Sequence, residues 1–440
     1  MLGQTAHCVV RSLPTFDNVL CGTVDILFPL PFLSSEVRMK VRGRLRPGIG
    51  LWTAVLQLVS TGACSDSIAS IASQADGSSR VVWKATEIRT PLESSALAAD
   101  TNFVFAYTSG RSIAAARLTN GTRAWSAEAD ESENFSASPR GVAYCSGSVI
   151  FGSHLALYSV SPATGVRRWR WRPSFGGNFT FGYPVCADSS IYVGTGQPAR
   201  LYAVDARTGR ERWWIDVGSA PLVNGFATAP AVTAGIVVGC TREFTIPKTG
   251  MVIGVDAATG QERWRYRWQP EPTSNGDASC ALFVAAADGI AVAAADDGRL
   301  FGLDAVTGAL RWTAPATGVP IVRMRDERPV TITNGIVVAG SATGIVVGID
   351  LRTGRELWRV GGDSNFETSI IDGLLSDGGQ VVGVSQSGWA LAFDAATGAR
   401  QWTVTSSKVQ NVRLFFDTGV LTKDLFIAVS PDALYAMRRR

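Results

Sequence analysis

The stretch DARTGRERW, residues 205–213, decides the fold, because the chain returns to it again and again. It recurs as SPATGVRRW (161–169), DAATGQERW (256–264), DAVTGALRW (304–312), DLRTGRELW (350–358) and DAATGARQW (394–402), with a weaker copy, RLTNGTRAW, at 117–125. The closing tryptophans are Trp125, Trp169, Trp213, Trp264, Trp312, Trp358 and Trp402, spaced 44, 44, 51, 48, 46 and 44 residues apart. A repeat of this length is one supersecondary unit placed around a ring or along a rod.

One unit, Ala229 to Trp264, shows what is repeated. APAVTAG, IVVGC, MVIGVD and ERWRY are short runs rich in β-branched or aromatic residues, separated by turn residues. Runs this short read as strands, and no helical period persists for three turns. Four antiparallel strands per unit is the form of a propeller blade. The Thr-Gly pair falls between the third and fourth strands. Gly121, Gly165, Gly209, Gly260, Gly308, Gly354 and Gly398 supply the positive φ of that turn. Asp205, Asp256, Asp304, Asp350 and Asp394, three residues before the Thr-Gly glycine's neighbour, are placed to accept hydrogen bonds from the turn. The tryptophans are expected between neighbouring blades, where a large ring buries most area and its N–H finds a partner. Every blade has these residues and a ring needs one active site, so their role is structural.

Two fragments remain. RVVWKATE carries Trp83 in the tryptophan position, and VRLFF, LFIAVS and ALYAM follow Trp402 as three further strands. Joining the strand around Trp83 to the carboxy-terminal three closes the ring and removes its edges. The expectation is an all-β, eight-bladed propeller over residues 81–440. A seven-bladed ring with decorative ends is the rival.

Residues 39–63 read as a secretory signal peptide: Lys40, Arg42, Arg44 and Arg46, an apolar run from Gly48 to Val59, then small residues ending at Cys64. The apolar run is shorter than the ~20 residues a spanning helix needs. The G-A-C ending resembles a bacterial lipoprotein signal, with Thr61 in place of the usual leucine, which makes Cys64 the lipidation site. A signal that starts at Met39 makes residues 1–38 an upstream extension from a mis-set start. Residues 64–80 are small and polar, a flexible tether.

From Cys64 on the chain carries 35 Lys plus Arg against 34 Asp plus Glu, with no basic stripe, which argues against nucleic acid. His154 is the one histidine there, set in a turn-like FGSHLALYS. A histidine-based triad or metal site lacks partners, and there is no Cys-x-x-Cys. Asp288-Gly289 and Asp296-Asp297-Gly298 read as hairpin turns. Cys145 and Cys186 occupy matching places in consecutive repeats and are candidates for a bridge between blades, with buried free thiols the alternative for these and for Cys240 and Cys280.

The LYAVDARTGRERW unit resembles the pyrroloquinoline-quinone (PQQ) repeat, a propeller family that includes quinoprotein dehydrogenases and the outer-membrane assembly lipoproteins of BamB type. The resemblance covers residues 81–440. Dehydrogenases of this family commonly stack the cofactor on an adjacent Cys-Cys disulfide and carry long insertions; this chain has no Cys-Cys pair and no spacing above 51 residues. The lipoprotein-like signal, the tether and the compact blades resemble the BamB branch. That resemblance implies no cofactor, no metal and no catalytic residues. It implies a lipid-anchored scaffold on the periplasmic face of the outer membrane that assists the β-barrel assembly machinery. Ser65 after the cysteine is compatible with that destination. A PQQ-dependent dehydrogenase and a surface propeller binding polysaccharide or protein are the competing readings. For the latter, residues 242–249 and 315–328 are the candidate loops, with VPIVRMRDERP at 319–329 as a guess at a partner surface.

Overall fold

The computed structural model describes residues 6–8, 24–26, 39–41, 80–88, 97–108, 112–130, 141–153, 155–173, 182–195, 199–218, 229–242, 249–269, 280–315, 330–340, 344–361, 373–385, 389–405, 419–430 and 433–439. Two units separate, Met1–Ser73 and Gln74–Arg440. In the first, Ala6–Cys8, Val24–Ile26 and Met39–Val41 form a small antiparallel sheet in sequence order. Its third strand starts at Met39, so the sheet draws on residues from both sides of the expected signal-peptide boundary. Cys64 lies outside the described residues.

The second unit is eight four-stranded antiparallel sheets. Blade 3 is representative, with strands Val185–Ala187, Ser190–Gly194, Ala199–Asp205 and Glu211–Gly218. Blade 1 runs from 98 to 128, blade 2 from 142 to 171, blade 4 from 231 to 268, blade 5 from 280 to 314, blade 6 from 330 to 360 and blade 7 from 373 to 405. Blade 8 is composite. Gly419–Leu421, Leu425–Ser430 and Ala433–Arg438 are completed by Val81–Ala85, with Trp83 opposite Ala436. The first strand of that blade is Gly419–Leu421, whereas VRLFF (412–416) falls outside the described residues.

Packing follows from the strand sequences. The second and third strands are covered on both faces by neighbouring blades, so SIYVG (190–194) is buried throughout and ARLYAVD (199–205) up to its closing Asp. The fourth strand has one wet face, and ERWWIDVG (211–218) alternates accordingly. The apolar residues sort into eight clusters, one for each pair of adjacent blades. The cluster of Trp83, Leu97, Val104, Ile427 and Leu434 spans blades 8 and 1 and closes the ring.

Each pairing of third with fourth strand shifts register at the same point, as between Ala203 and Val204 in blade 3 and Gly254 and Val255 in blade 4. This bulge leaves the residue before each tryptophan without a partner in the register, and where that residue is Arg212, Arg263 or Arg311 its side chain reaches back to the preceding turn.

Candidate functional site

The residues that the repeat marks meet at the junctions between blades. Each tryptophan indole donates to a turn carbonyl in the next blade: Trp83 to Leu118 at 2.8 Å, Trp125 to Pro162 at 2.8 Å, Trp169 to Ala206 at 3.1 Å and Trp213 to Ala257 at 3.0 Å. Trp264 to Ala305 and Trp312 to Leu351 at 2.8 Å, and Trp358 to Ala395 at 3.1 Å, continue the series. The turn glycine of that next blade lies flat on the ring. A Cβ on Gly165 would come within 2.6 Å of Trp125, and one on Gly308 within 2.6 Å of Trp264. The same holds for Gly121 on Trp83, Gly209 on Trp169, Gly260 on Trp213, Gly354 on Trp312 and Gly398 on Trp358. These glycines also have φ near +70°, so two independent constraints exclude a side chain.

Across the strand pair, each tryptophan faces a small residue. Gly254, Gly302 and Gly348 lie under Trp264, Trp312 and Trp358, and Ala115, Ser159, Ala203, Ala392 and Ala436 take that place in the other blades. The pattern is present in the sequence as a small residue two before the Asp, in LYAVD, VIGVD and VVGID.

The aspartates close the turns. Asp205 Oδ1 accepts from the N–H groups of Arg207 and Thr208 and from Thr208 Oγ1, at 3.1, 2.8 and 2.7 Å. Asp256, Asp304, Asp350 and Asp394 repeat the arrangement. In three blades the bulged residue is an arginine that returns to the second carboxylate oxygen: Arg212 to Asp205 and Arg263 to Asp256 at 2.7 Å, Arg311 to Asp304 at 2.5 Å. The Arg212 hydrogen bond, then those of Thr208, hold Asp205 well below the usual carboxylate range, and Arg263 with Thr259 does the same for Asp256. Asp304 is brought down to about 2, first by Arg311 and then by Thr307. Leu357 and Gln401 replace the arginine in blades 6 and 7, and Asp350 is lowered chiefly by Thr353.

The cysteines join neighbouring blades. Cys145 pairs with Cys186, with Cα atoms 5.7 Å apart, and Cys240 pairs with Cys280 at 6.2 Å. The second bridge joins Cys240 and Cys280, for which the sequence suggested no pairing. They sit on different strand ranks of their blades, so matching repeat positions do not reveal it. His154 and nearly all of 242–249, 315–328 and 319–329 lie outside the described residues. Asp288 and Gly289 form a tight hairpin turn with φ of 50° and 73°. Among the described residues, no three His, Cys, Asp or Glu side chains gather as a metal site, and no helix is long and apolar enough to cross a membrane.

One junction differs. Between blades 7 and 8 the turn is replaced by the two ends of the ring, Arg80 and Arg438. Trp402 is 5 % exposed, yet its indole N–H has no partner. The Arg80 guanidinium lies 5.6 Å from the Trp402 ring, and its Nη1 donates to the Arg438 carbonyl at 3.2 Å. Arg439 is engaged by Asp377, Gln380 and the Thr422 carbonyl. Arg80, Asp377, Gly379, Gln380, Gln401, Trp402 and Arg439 line a cavity of about 460 Å³.

Comparison with known proteins gives consistent neighbours. The family model described as outer membrane protein assembly factor BamB matches residues 71–171 and 170–404. A protein of that name from Nitrosomonas eutropha is 28 % identical over 231 residues, 51 % of this chain and 51 % of the relative. A quinohemoprotein alcohol dehydrogenase from Comamonas testosteroni is 27 % identical over 172 residues, 35 % of this chain and 23 % of the enzyme. The chain thus spans about half or less of the length of these curated relatives. The crystal structure of BamB from Moraxella catarrhalis superposes with a TM-score of 0.57 over 80 % of this chain and 98 % of that one, at 15 % identity, a likeness of fold.

Proposed function

Starting from a chain that belongs to the family of outer membrane protein assembly factor BamB, we propose that it is a non-enzymatic protein-binding propeller. It is held by lipid at Cys64 on the periplasmic face of the outer membrane and helps deliver β-barrel proteins to their assembly machinery. The observation that carries this reading is where the recurring polar and aromatic side chains of the repeat go. The motif's Trp, Asp, Thr and Gly side chains and turns are spent on holding blades together, and none converges on a shared reaction centre among the described residues. The two interblade disulfides favour an oxidising, exported location. The lipoprotein-like signal supports the anchor.

The dehydrogenase reading fits the residues poorly. Its cofactor would need a stacking platform and a cation site. Neither disulfide joins adjacent cysteines, the partners being 41 and 40 residues apart, and the described residues gather no acidic cluster for calcium. Affinity purification of the tagged chain from detergent-solubilised membranes tests the proposal. Co-purification of an outer-membrane β-barrel assembly component supports it. Its absence, together with saturable PQQ binding in the presence of calcium, would replace it with the enzyme reading.

A further inference from the structure

We propose that the outer edge of blade 3 is a self-association surface. A second copy of this chain pairs there, strand Glu211–Gly218 against its own copy, antiparallel about a two-fold axis at Trp214. The proposal stands on this strand and goes beyond the assembly-factor reading.

Every blade ends its sheet on the fourth strand, which leaves one edge with no further strand among the described residues. Such edges recruit other chains unless charge or brevity prevents it. The residue after each motif tryptophan shows how most blades are protected. It is Arg170, Arg265, Arg359 and Lys84 in blades 2, 4, 6 and 8, all exposed, and Ser126, Thr313 and Thr403 in blades 1, 5 and 7. Pairing with a copy centred on one of the cations would set like charges directly opposite, which is unfavourable. Blade 3 has Trp214 at that place, 37 % exposed. Its fourth strand is also the longest of the set, eight residues against five to seven.

The strand is compatible with its own copy. Trp213, Ile215 and Val217 pack toward blade 4, while Arg212, Trp214 and Asp216 are exposed. Side chains alternate along a strand and paired residues share a face, so the two-fold axis passes through a residue and not between two. An axis at Trp213 would set Arg212 against Trp214, and one at Ile215 would set Trp214 against Asp216. The axis at Trp214 sets Arg212 opposite Asp216, Trp213 opposite Ile215 and the two Trp214 rings side by side. Arg212 is already bonded to Asp205 at 2.7 Å, and Asp216 to Arg200 at 2.6 Å. Each charge therefore arrives with a counterion, and this register brings opposite signs together across the axis.

The anchor is held in place before any partner arrives. The Arg200 guanidinium lies 4.4 Å from the centre of the Trp214 ring, is 9 % exposed and is tied to Asp216. A ring supported in this way loses little freedom on association. Tryptophan is also enriched among the residues that dominate interfaces. A single strand pair is small beside the ~1,200–2,000 Å² of a standard stable interface, so the dimer is reversible and depends on concentration.

Sedimentation velocity over a concentration series tests the proposal, using the full chain with Cys64→Ser so that no lipid is attached. The expected result is a reversible monomer–dimer equilibrium. Trp214→Thr and Trp214→Arg introduce residue types that other blades carry at this place, and each should raise the dissociation constant about tenfold or more. Unchanged far-UV circular dichroism separates lost association from lost folding. Trp214→Cys, in a chain also carrying Cys8→Ser and Cys21→Ser, should form a covalent dimer on mild oxidation, because the axis brings the two positions together. Arg210→Cys, exposed in the preceding turn, should not. Three results would overturn the proposal: a chain that is monomeric at every concentration, a dimer that Trp214→Thr leaves unchanged, or cross-linking no readier at Trp214→Cys than at Arg210→Cys. The experiment uses no membrane component, so its failure leaves the co-purification result unaffected.

Discussion

Trp264 in blade 4 donates its indole N–H to the carbonyl of Ala305 in blade 5, 2.8 Å away, while Gly308 of the same turn lies against the ring. One side chain thus contributes a hydrogen bond, apolar area and a steric requirement across a single blade interface.

Gly308→Ala separates the last of these. Gly308 and Gly335 share a φ of +73°, but a Cβ on Gly308 would sit 2.6 Å from Trp264, while one on Gly335 meets nothing within 4 Å. The positive φ costs an alanine about 1–2 kcal/mol in either place. The clash adds about 1–3 kcal/mol at position 308 alone. Urea unfolding of both variants should show the larger midpoint drop for Gly308→Ala.

Trp264→Phe against Trp402→Phe separates the hydrogen bond. Both rings are buried, but only Trp264 has a bonded N–H. The Trp264 variant should lose about 1 kcal/mol more, read in the same urea experiment. Equal losses would mean the indole bond contributes nothing measurable.

Acid titration probes the turns. Asp304, held at about 2 by Arg311 and Thr307, has a depressed folded-state pKa against an ordinary ~3.9. Its contribution to stability is present above the unfolded value and is lost as pH falls from there through about 2. Arg311→Gln should raise the pH at which the Asp304 carboxyl resonance titrates, and the loss of stability on acidification should then be smaller and complete at a higher pH.

Cys145→Ser with Cys186→Ser opens a loop of 41 residues. Chain-entropy reasoning puts the loss at about 4 kcal/mol, visible as a lower melting temperature. Thiol counting under denaturing, non-reducing conditions should find Cys145, Cys186, Cys240 and Cys280 all unreactive.

The ring was legible in the sequence because its determinants are local and repeated. The turn needs glycine at one offset and the junction needs tryptophan at another, so the spacing alone gives eight blades once Trp83 is added. Three features were harder to see. The Cys240–Cys280 bridge links strands of different rank, so repeat alignment hides it. The Arg212, Arg263 and Arg311 clamps depend on a bulge that re-aims the side chain, and no propensity marks a bulge. The first strand of blade 8 forms from Gly419–Leu421, although VRLFF has the better strand composition.

In-cell photo-crosslinking of the chain in outer membranes tests the central claim, that this propeller is a protein-binding assembly factor, most directly. The account predicts crosslinks to a component of the outer-membrane β-barrel assembly machinery, lost when Cys64→Ala frees the chain from the membrane. A protein that forms no such crosslinks and is isolated with bound quinone and alcohol-oxidising activity would contradict it.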